Sequence, residues 1–318
     1  MAGSRPFRFG PWLLGALILA GVILAVVSRG EIEGFARLLR RASPAWLAVG
    51  ALLQVGTYFS TAAVWSLALR RAGARYPMRT LVPLSVAKLF SEQALPSGGI
   101  SGTAFFVTAL TRRGAPPEIS MAALLVSLVA YYAAYFLAAT VSLALLRRSH
   151  PVSGWIVALT VLFCVTAAGI PAGALWLRRK SRRLPTKALR VPGLKVGLEL
   201  LSQAPGRLLR DLSLLSRTTL FQASIFALDA ATLWAMLRAV GENVSILSAL
   251  PCFVIASMVA TLGLIPLGLG TFEAACVAML SAAGVPLETA LTATLLLRGF
   301  TLWLPMAPGL WLVRRELS

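Results

Sequence analysis

The sequence predicts an all-α polytopic membrane protein with about six transmembrane helices and two oppositely oriented re-entrant helical hairpins, arranged as an inverted repeat. Three observations predict it. Of the 318 residues, 58% are hydrophobic and the mean hydropathy is +0.81, too apolar for an ordinary soluble domain. Six apolar runs, near Pro11–Val27, Trp46–Leu69, Ile119–Leu146, Val152–Leu177, Leu220–Val240 and Leu287–Val313, are each about 17 to 28 residues long, enough to cross the hydrocarbon core. Finally, one stretch occurs twice. Leu95–Glu118 and Ile265–Glu288 share Pro96/Pro266, Gly98/Gly268, Gly114/Gly284, Pro116/Pro286 and Glu118/Glu288 at a constant offset of 170 residues. Each copy is a helix-breaking Pro-Gly cluster, an apolar run too short to span, and a Gly-x-Pro-x-Glu that starts a long apolar helix.

Composition also excludes several classes. Nearly the whole chain is intramembrane, which leaves no segment for a separate soluble catalytic domain. The net charge of +19 would suggest nucleic acid in a soluble protein. Here the basic residues crowd the gaps between spans, as the positive-inside rule requires, so no nucleic-acid partner is expected. Cys164, Cys252 and Cys276 all lie in apolar runs, giving neither a disulfide framework nor a metal site. No cofactor is expected.

Arg5 and Arg8 precede the first apolar run, which ends in Val26-Val27-Ser28-Arg29 without a small-x-small cleavage site. It reads as a retained first span with a cytoplasmic N-terminus. Span two returns to Arg70, Arg71, Arg75 and Arg79. Leu81–Leu95, the break at Pro96-Ser97-Gly98-Gly99, and Thr103–Thr111 then form two limbs, each too short to cross. The pair is therefore expected to enter and leave on the cytoplasmic side. Spans three and four follow. Arg147 and Arg148 between them run against the charge rule, but the loop 178–217 outweighs them with eleven basic residues against Glu199 and Asp211. Within it, Leu198, Leu201, Leu208, Leu212 and Leu215 lie near one helical face, so Leu194–Leu215 reads as a helix on the inner membrane surface. Span five exits. Ile246–Ile265, the break Pro266–Gly270 and Thr271–Ala283 form a second hairpin, opening outward, and span six ends at cytoplasmic Arg314-Arg315. The chain is thus one integral membrane domain over 1–318, with repeat 1 at about 46–146 and repeat 2 at about 218–313.

An odd number of crossings separates the copies, so they have opposite orientation. Inverted repeats with broken helices are the architecture of transporters, with the substrate site near the midplane where the breaks meet. The breaks also free backbone groups that lipid cannot satisfy. Charges inside apolar segments point to the same place. Lys88 and Glu92 are one turn apart on hairpin one. Glu273 follows the second glycine cluster at a helix N-terminus, where a carboxylate is favoured. Arg298, mid-span in the last helix, is expected to meet Glu273 or Glu92 across the repeat interface. An arginine there suits a phosphate or other anionic headgroup, with Lys88 as a second cation and the N–H groups at Gly98, Gly99, Gly268 and Gly270 as further donors. The bland reading of each is a buried ion pair holding helices in register. Asp229 lies mid-span five, and Arg238 near its outer end. Gly99-Ile100-Ser101-Gly102 has the form found around the serine of rhomboid intramembrane proteases. Its only histidine, His150, is expected on the opposite side, so no catalytic residue is assigned.

At these residues the chain resembles a known family. Pro266-Leu-Gly-Leu-Gly-Thr-Phe-Glu273 is similar to the Pro-Gly-Gly-Leu-Gly-x-x-Glu signature of the lysylphosphatidylglycerol synthase transmembrane region, the flippase-like domain family. Arg298-x-x-Thr301-x-Trp303-x-Pro305-x-x-x-Gly309 resembles its arginine helix. The first hairpin departs from the pattern, with Ser101-Gly102-Thr103-Ala104 where members often carry an acidic residue and an arginine. The resemblance implies a stand-alone lipid translocator of the bacterial inner membrane, not an enzyme, moving a polar- or anionic-headgroup lipid between leaflets. Its partners would be membrane lipids. The alternative is a non-transporting accessory protein that presents lipid to a lipid-modifying enzyme of phospholipid, hopanoid or glycolipid modification.

Overall fold

Helix lengths recur along the chain. The computed structural model describes residues 42–94, 100–149, 153–180, 207–262 and 266–317, and the described residues are helical with no strand. The helices are α1 (Pro44–Arg71), α2 (Met78–Ala94), α3 (Ile100–Thr111), α4 (Pro117–Ser149), α5 (Gly154–Lys180), α6 (Leu212–Ala239), α7 (Ile246–Leu262), α8 (Thr271–Ala282), α9 (Leu287–Arg298) and α10 (Met306–Leu317). The expected first span, the first Pro-Gly cluster including Gly98 and Gly99, His150 and most of the basic loop lie outside the described residues.

α1 and α6 have 28 residues each, α2 and α7 have 17, and α3 and α8 have 12. Pro83 and Pro251 occupy the same sixth position of their helices, just past the first turn where a missing N–H costs nothing, so each helix gives up one ladder bond there. The same caps punctuate both series. Gly73 and Gly241 turn at φ 96° and 89°, and Gly114 and Gly284 at 82° and 90°. Each is followed by a residue whose N–H bonds the carbonyl five positions back, as in Ala115 to Leu110 and Val285 to Leu280, both 3.0 Å. A left-handed glycine is the least strained way to close a helix like this.

Among the described residues, four stretches are long and apolar enough to cross a membrane: Pro44–Arg71, Pro117–Arg148, Leu212–Ala239 and Leu287–Glu316, and α5 is apolar over Gly154–Gly169. Large apolar side chains such as Leu52, Val55 and Phe59 on α1 and Val161, Leu162 and Val165 on α5 are exposed, as they are where lipid is the solvent.

The chain divides into two compact units, each built from several stretches. One holds 142–160 and 230–300 with the chain up to Ala51, and the other holds 52–141, 161–229 and 301–318. In the second, Trp65, Leu69, Leu81, Leu84, Phe106, Leu110 and Val126 form a buried core, with the Trp65 and Phe106 rings 4.3 Å apart. Here α1 and α6 run antiparallel: Gln54 meets Asp229, Gly56 meets Leu228, Ser60 meets Ser224 and Arg71 meets Asp211. The first unit has the same antiparallel pattern, Trp46 against Trp234 and Gly50 against Met236. Small residues at such crossings let helices approach where lipid supplies no hydrophobic drive.

Two expectations are corrected. The surface helix Leu194–Leu215 does not continue through its described part. A 3-10 turn, Leu208–Arg210, is followed by Asp211 in extended conformation, and the span helix begins at Leu212 instead of Leu220. Asp211 caps it, accepting from the Leu214 N–H at 3.0 Å, and pairs with Arg71 at 3.1 Å. Leu208 and Leu214 are buried in the core instead of lying on a membrane surface. Asp211→Ala is expected to lower stability by about 1 kcal/mol, chiefly through the cap, measurable as a lower thermal midpoint in detergent.

The last span is not one continuous α-helix. After Arg298 the backbone widens into a π-turn, Gly299–Trp303, and α10 restarts at Met306. Pro305 has no N–H to return to Thr301 four residues earlier, so the regular α-helical bond at that carbonyl is missing.

Candidate functional site

Hairpin two is α7, a break and α8, with α7 and α8 packed together and α9 against α8. The break is a tight left-handed turn: Leu267 has φ 60° and ψ 4°, Gly268 φ 61° and Gly270 φ 80°. A left-handed leucine is strained by about 1–2 kcal/mol, so surrounding contacts must hold it. Arg298 does so. Its Nη2 donates to the Leu267 carbonyl at 2.9 Å, and its Nε donates to Glu273 Oε1 at 2.6 Å. The other Glu273 oxygen accepts the Gly270 N–H at 2.7 Å. One carboxylate thus caps α8 at its third residue and anchors the arginine. The guanidinium carbon lies 4.9 Å from the Phe272 ring centroid, a distance at which a desolvated cation is attracted to the π face. The side chains are 11% exposed for Arg298 and 2% for Glu273, so both charges need their partners.

Arg298 therefore meets Glu273, one of the two carboxylates expected for it, but both residues belong to the second copy, so the pair does not cross between copies. The anion-donor position at Gly270 is taken by the chain's own carboxylate, and Gly268 approaches α7 so closely that a Cβ there would sit 2.6 Å from the Ala260 Cβ.

Hairpin one is α2, its break and α3, with α2 and α3 packed together and α10 against α2. Lys88 Nζ lies 2.5 Å from Glu92 Oε1, and both side chains remain partly exposed. A Cβ on Gly102 would meet the Glu92 side chain at 2.3 Å, so the carboxylate arm lies directly on the α3 backbone. In register, Gly102 of α3 and Glu273 of α8 are both third residues of their helices, while Glu92 of α2 matches Ala260 of α7. Each hairpin thus carries one carboxylate near its break, from the first limb in hairpin one and the second limb in hairpin two. Ser101 donates to the Ser91 carbonyl at 2.8 Å, giving its hydroxyl a backbone partner.

Sequence reasoning missed Gln93. Its side chain is buried, its Nε2 lies 3.4 Å from the Thr301 carbonyl, and its Oε1 has no hydrogen-bond partner among the described residues. The carbonyl is the one that Pro305 leaves without its regular α-helical bond, so the signal was a proline within the final apolar run. In the first turn of α10, a Cβ on Gly309 would collide with Phe90 of α2 at 2.4 Å. The end of α10 is also clasped: Arg113 Nη2 donates to Glu316 Oε1 at 2.7 Å, and Arg112 donates to the Glu316 backbone carbonyl at 2.7 Å. The hydrogen bond to Glu316 pushes the Arg113 pKa up, keeping that clasp charged.

The two stretches that carry the family resemblance, Pro266–Glu273 and Arg298–Gly309, thus supply the ion pair, the π-turn and the close approach of Gly309. The sequence model of the family described as lysylphosphatidylglycerol synthase TM region matches residues 12–309. The chain belongs to this family. As a member it is a membrane protein over nearly its full length, and its apolar helices are those of the family's membrane region. No curated protein matches the chain.

Proposed function

We propose that this member of the lysylphosphatidylglycerol synthase TM region family moves a polar- or anionic-headgroup lipid between the leaflets of the bacterial inner membrane. The observation that carries the reading is Arg298. It is a cation at membrane depth, it holds a strained backbone break, and it adjoins a π-turn, a helix defect that recurs at functional sites. Six spans, two re-entrant hairpins and cytoplasmic termini form the proposed topology. Antiparallel α1 and α6, the leading helices of the two length-matched series, support the inverted relation, since corresponding elements of an inverted repeat oppose one another.

In the proposed cycle Arg298 exchanges one Glu273 oxygen for a headgroup oxygen, while the second Glu273 oxygen keeps α8 capped through Gly270. On hairpin one, Lys88, released from Glu92, is a further cation for an anionic headgroup. The acyl chains stay in lipid. We assign this region no catalytic step. The accessory reading is favoured by a different observation: with Glu273 and the Leu267 carbonyl in place, Arg298 is closed off. On that reading the hairpins are a packed scaffold that hands lipid to a modifying enzyme.

Leaflet exchange in liposomes containing the purified protein separates the two. Translocation predicts faster exchange of fluorescent phosphatidylglycerol than of fluorescent phosphatidylcholine. Exchange no faster than in protein-free liposomes, for either lipid, would favour the accessory role.

A further inference from the structure

A second charged group at membrane depth takes no part in the Arg298 site. Asp229 lies seventeen residues into α6, inside a candidate span. Its hydrogen-bond partner is neutral: Gln54 Nε2 on α1 donates to Oδ1 at 2.9 Å. Among the described residues no lysine or arginine forms an ion pair with it, in contrast to Glu92, Glu273 and Asp211, which each have a cation. The titratable groups that face it are Tyr58 on α1 and Tyr131 on α4. Tyr131 in turn adjoins Tyr132 and feels Glu92. None of these is a cation.

An ionised carboxyl without a cation is among the costliest groups to hold in a membrane, and taking up a proton removes that cost. Exchange is feasible because Asp229 is only part-buried, as are Tyr58 and Tyr131. Two other polar pairs lie further along α6 on different neighbours, Ser224 with Ser60 of α1 at 3.0 Å and Gln222 with Ser127 of α4 at 3.1 Å. Gln54 donates more strongly to the ionised carboxyl but can donate to either form, so neither state has to break the α1–α6 contact.

We propose that Asp229 is a proton-binding site whose loading and unloading is coupled to lipid movement, so that the proton gradient drives the translocation. This rests on the translocation reading above. The proton arrives at a carboxylate oxygen of Asp229, leaves from the same atom, and nothing else is consumed.

The test places the full chain in liposomes with fluorescent phosphatidylglycerol and an imposed pH gradient of about one unit. One coupled proton per lipid is worth about 1.4 kcal/mol, up to about a tenfold shift in the steady-state distribution between leaflets. Wild type and Asp229→Glu are expected to show the shift. Asp229→Asn, which retains shape and a hydrogen bond to Gln54, is expected to exchange lipid with an even distribution. A shift in Asp229→Asn equal to that of wild type overturns the proposal, as does wild-type exchange that ignores the gradient. Infrared spectra of the same vesicles read the carboxyl directly. A carboxylic-acid C=O band that grows on acidification and is missing in Asp229→Asn supports the proton site, and its absence in wild type removes it. Should wild type exchange no lipid at all, the translocation reading fails with the coupling, while the infrared band still decides whether Asp229 binds a proton.

Discussion

Arg298→Ala is expected to destabilise the protein by about 3–5 kcal/mol, because it leaves Glu273 buried without its cation. It also removes the donor that holds the Leu267 carbonyl in its strained turn. The loss alone would not prove a functional role, since a structural pair behaves the same way. The pair of substitutions Arg298→Met and Glu273→Met separates the two. Replacing a buried ion pair with apolar side chains of similar size is often neutral or stabilising. The double variant is therefore expected to recover all but about 1–2 kcal/mol, the remaining deficit being the lost bonds to the Gly270 N–H and the Leu267 carbonyl. Thermal midpoints in detergent check this. A double variant no more stable than Arg298→Ala would mean that the Leu267 contact, rather than the charge pair, dominates the energetics of the break.

Gly268→Ala is expected to cost about 2–5 kcal/mol. The residue sits at φ 61° with its would-be Cβ against both the Cβ and the backbone of Ala260. The left-handed conformation accounts for about 1–2 kcal/mol and overpacking for roughly 1–3. Gly284→Ala isolates the first contribution, because it shares the left-handed turn at φ 90° but has open space around its Cβ position. It is expected to cost only about 1–2 kcal/mol. Cys252 and Cys276, both buried on the hairpin-two helices, provide a local readout. With Cys164 replaced by Ser, thiol-reactive dye should label Gly268→Ala at a lower temperature than Gly284→Ala. Equal labelling of the two would contradict the close approach of Gly268 to α7.

How far these features could be read from the chain depended on whether the cause lay in local pattern or in tertiary contact. The helix-breaking clusters, the short limbs and the recurring Gly-x-Pro-x-Glu are local, and α2, α3, α7 and α8 fall close to where the pattern puts them. Arg298 and Glu273 were legible as charges in apolar surroundings. Their pairing within one copy was not, because nothing in sequence spacing says which of two carboxylates an arginine reaches. The π-turn was hidden by hydropathy, since Leu287–Val313 is long and largely apolar apart from Glu288 and Arg298, and Pro305 is what marks the fault. Asp211 was read as loop charge, although an aspartate three residues before the Leu214 N–H is also a helix-capping signal. Gln93 and Gln54 are uncharged amides among other polar residues of α2 and α1, and their meaning came only with the carbonyl and the carboxyl they meet.

The central claim is that Arg298 handles the headgroup as well as holding the break. The most direct measurement is leaflet exchange of fluorescent phosphatidylglycerol by wild type beside the Arg298→Met, Glu273→Met variant, both shown to be folded. The account predicts rapid exchange by wild type and a rate at the protein-free background for the variant. A stable double variant that exchanges lipid as fast as wild type would contradict it, and would leave the Arg298–Glu273 pair a purely structural tie.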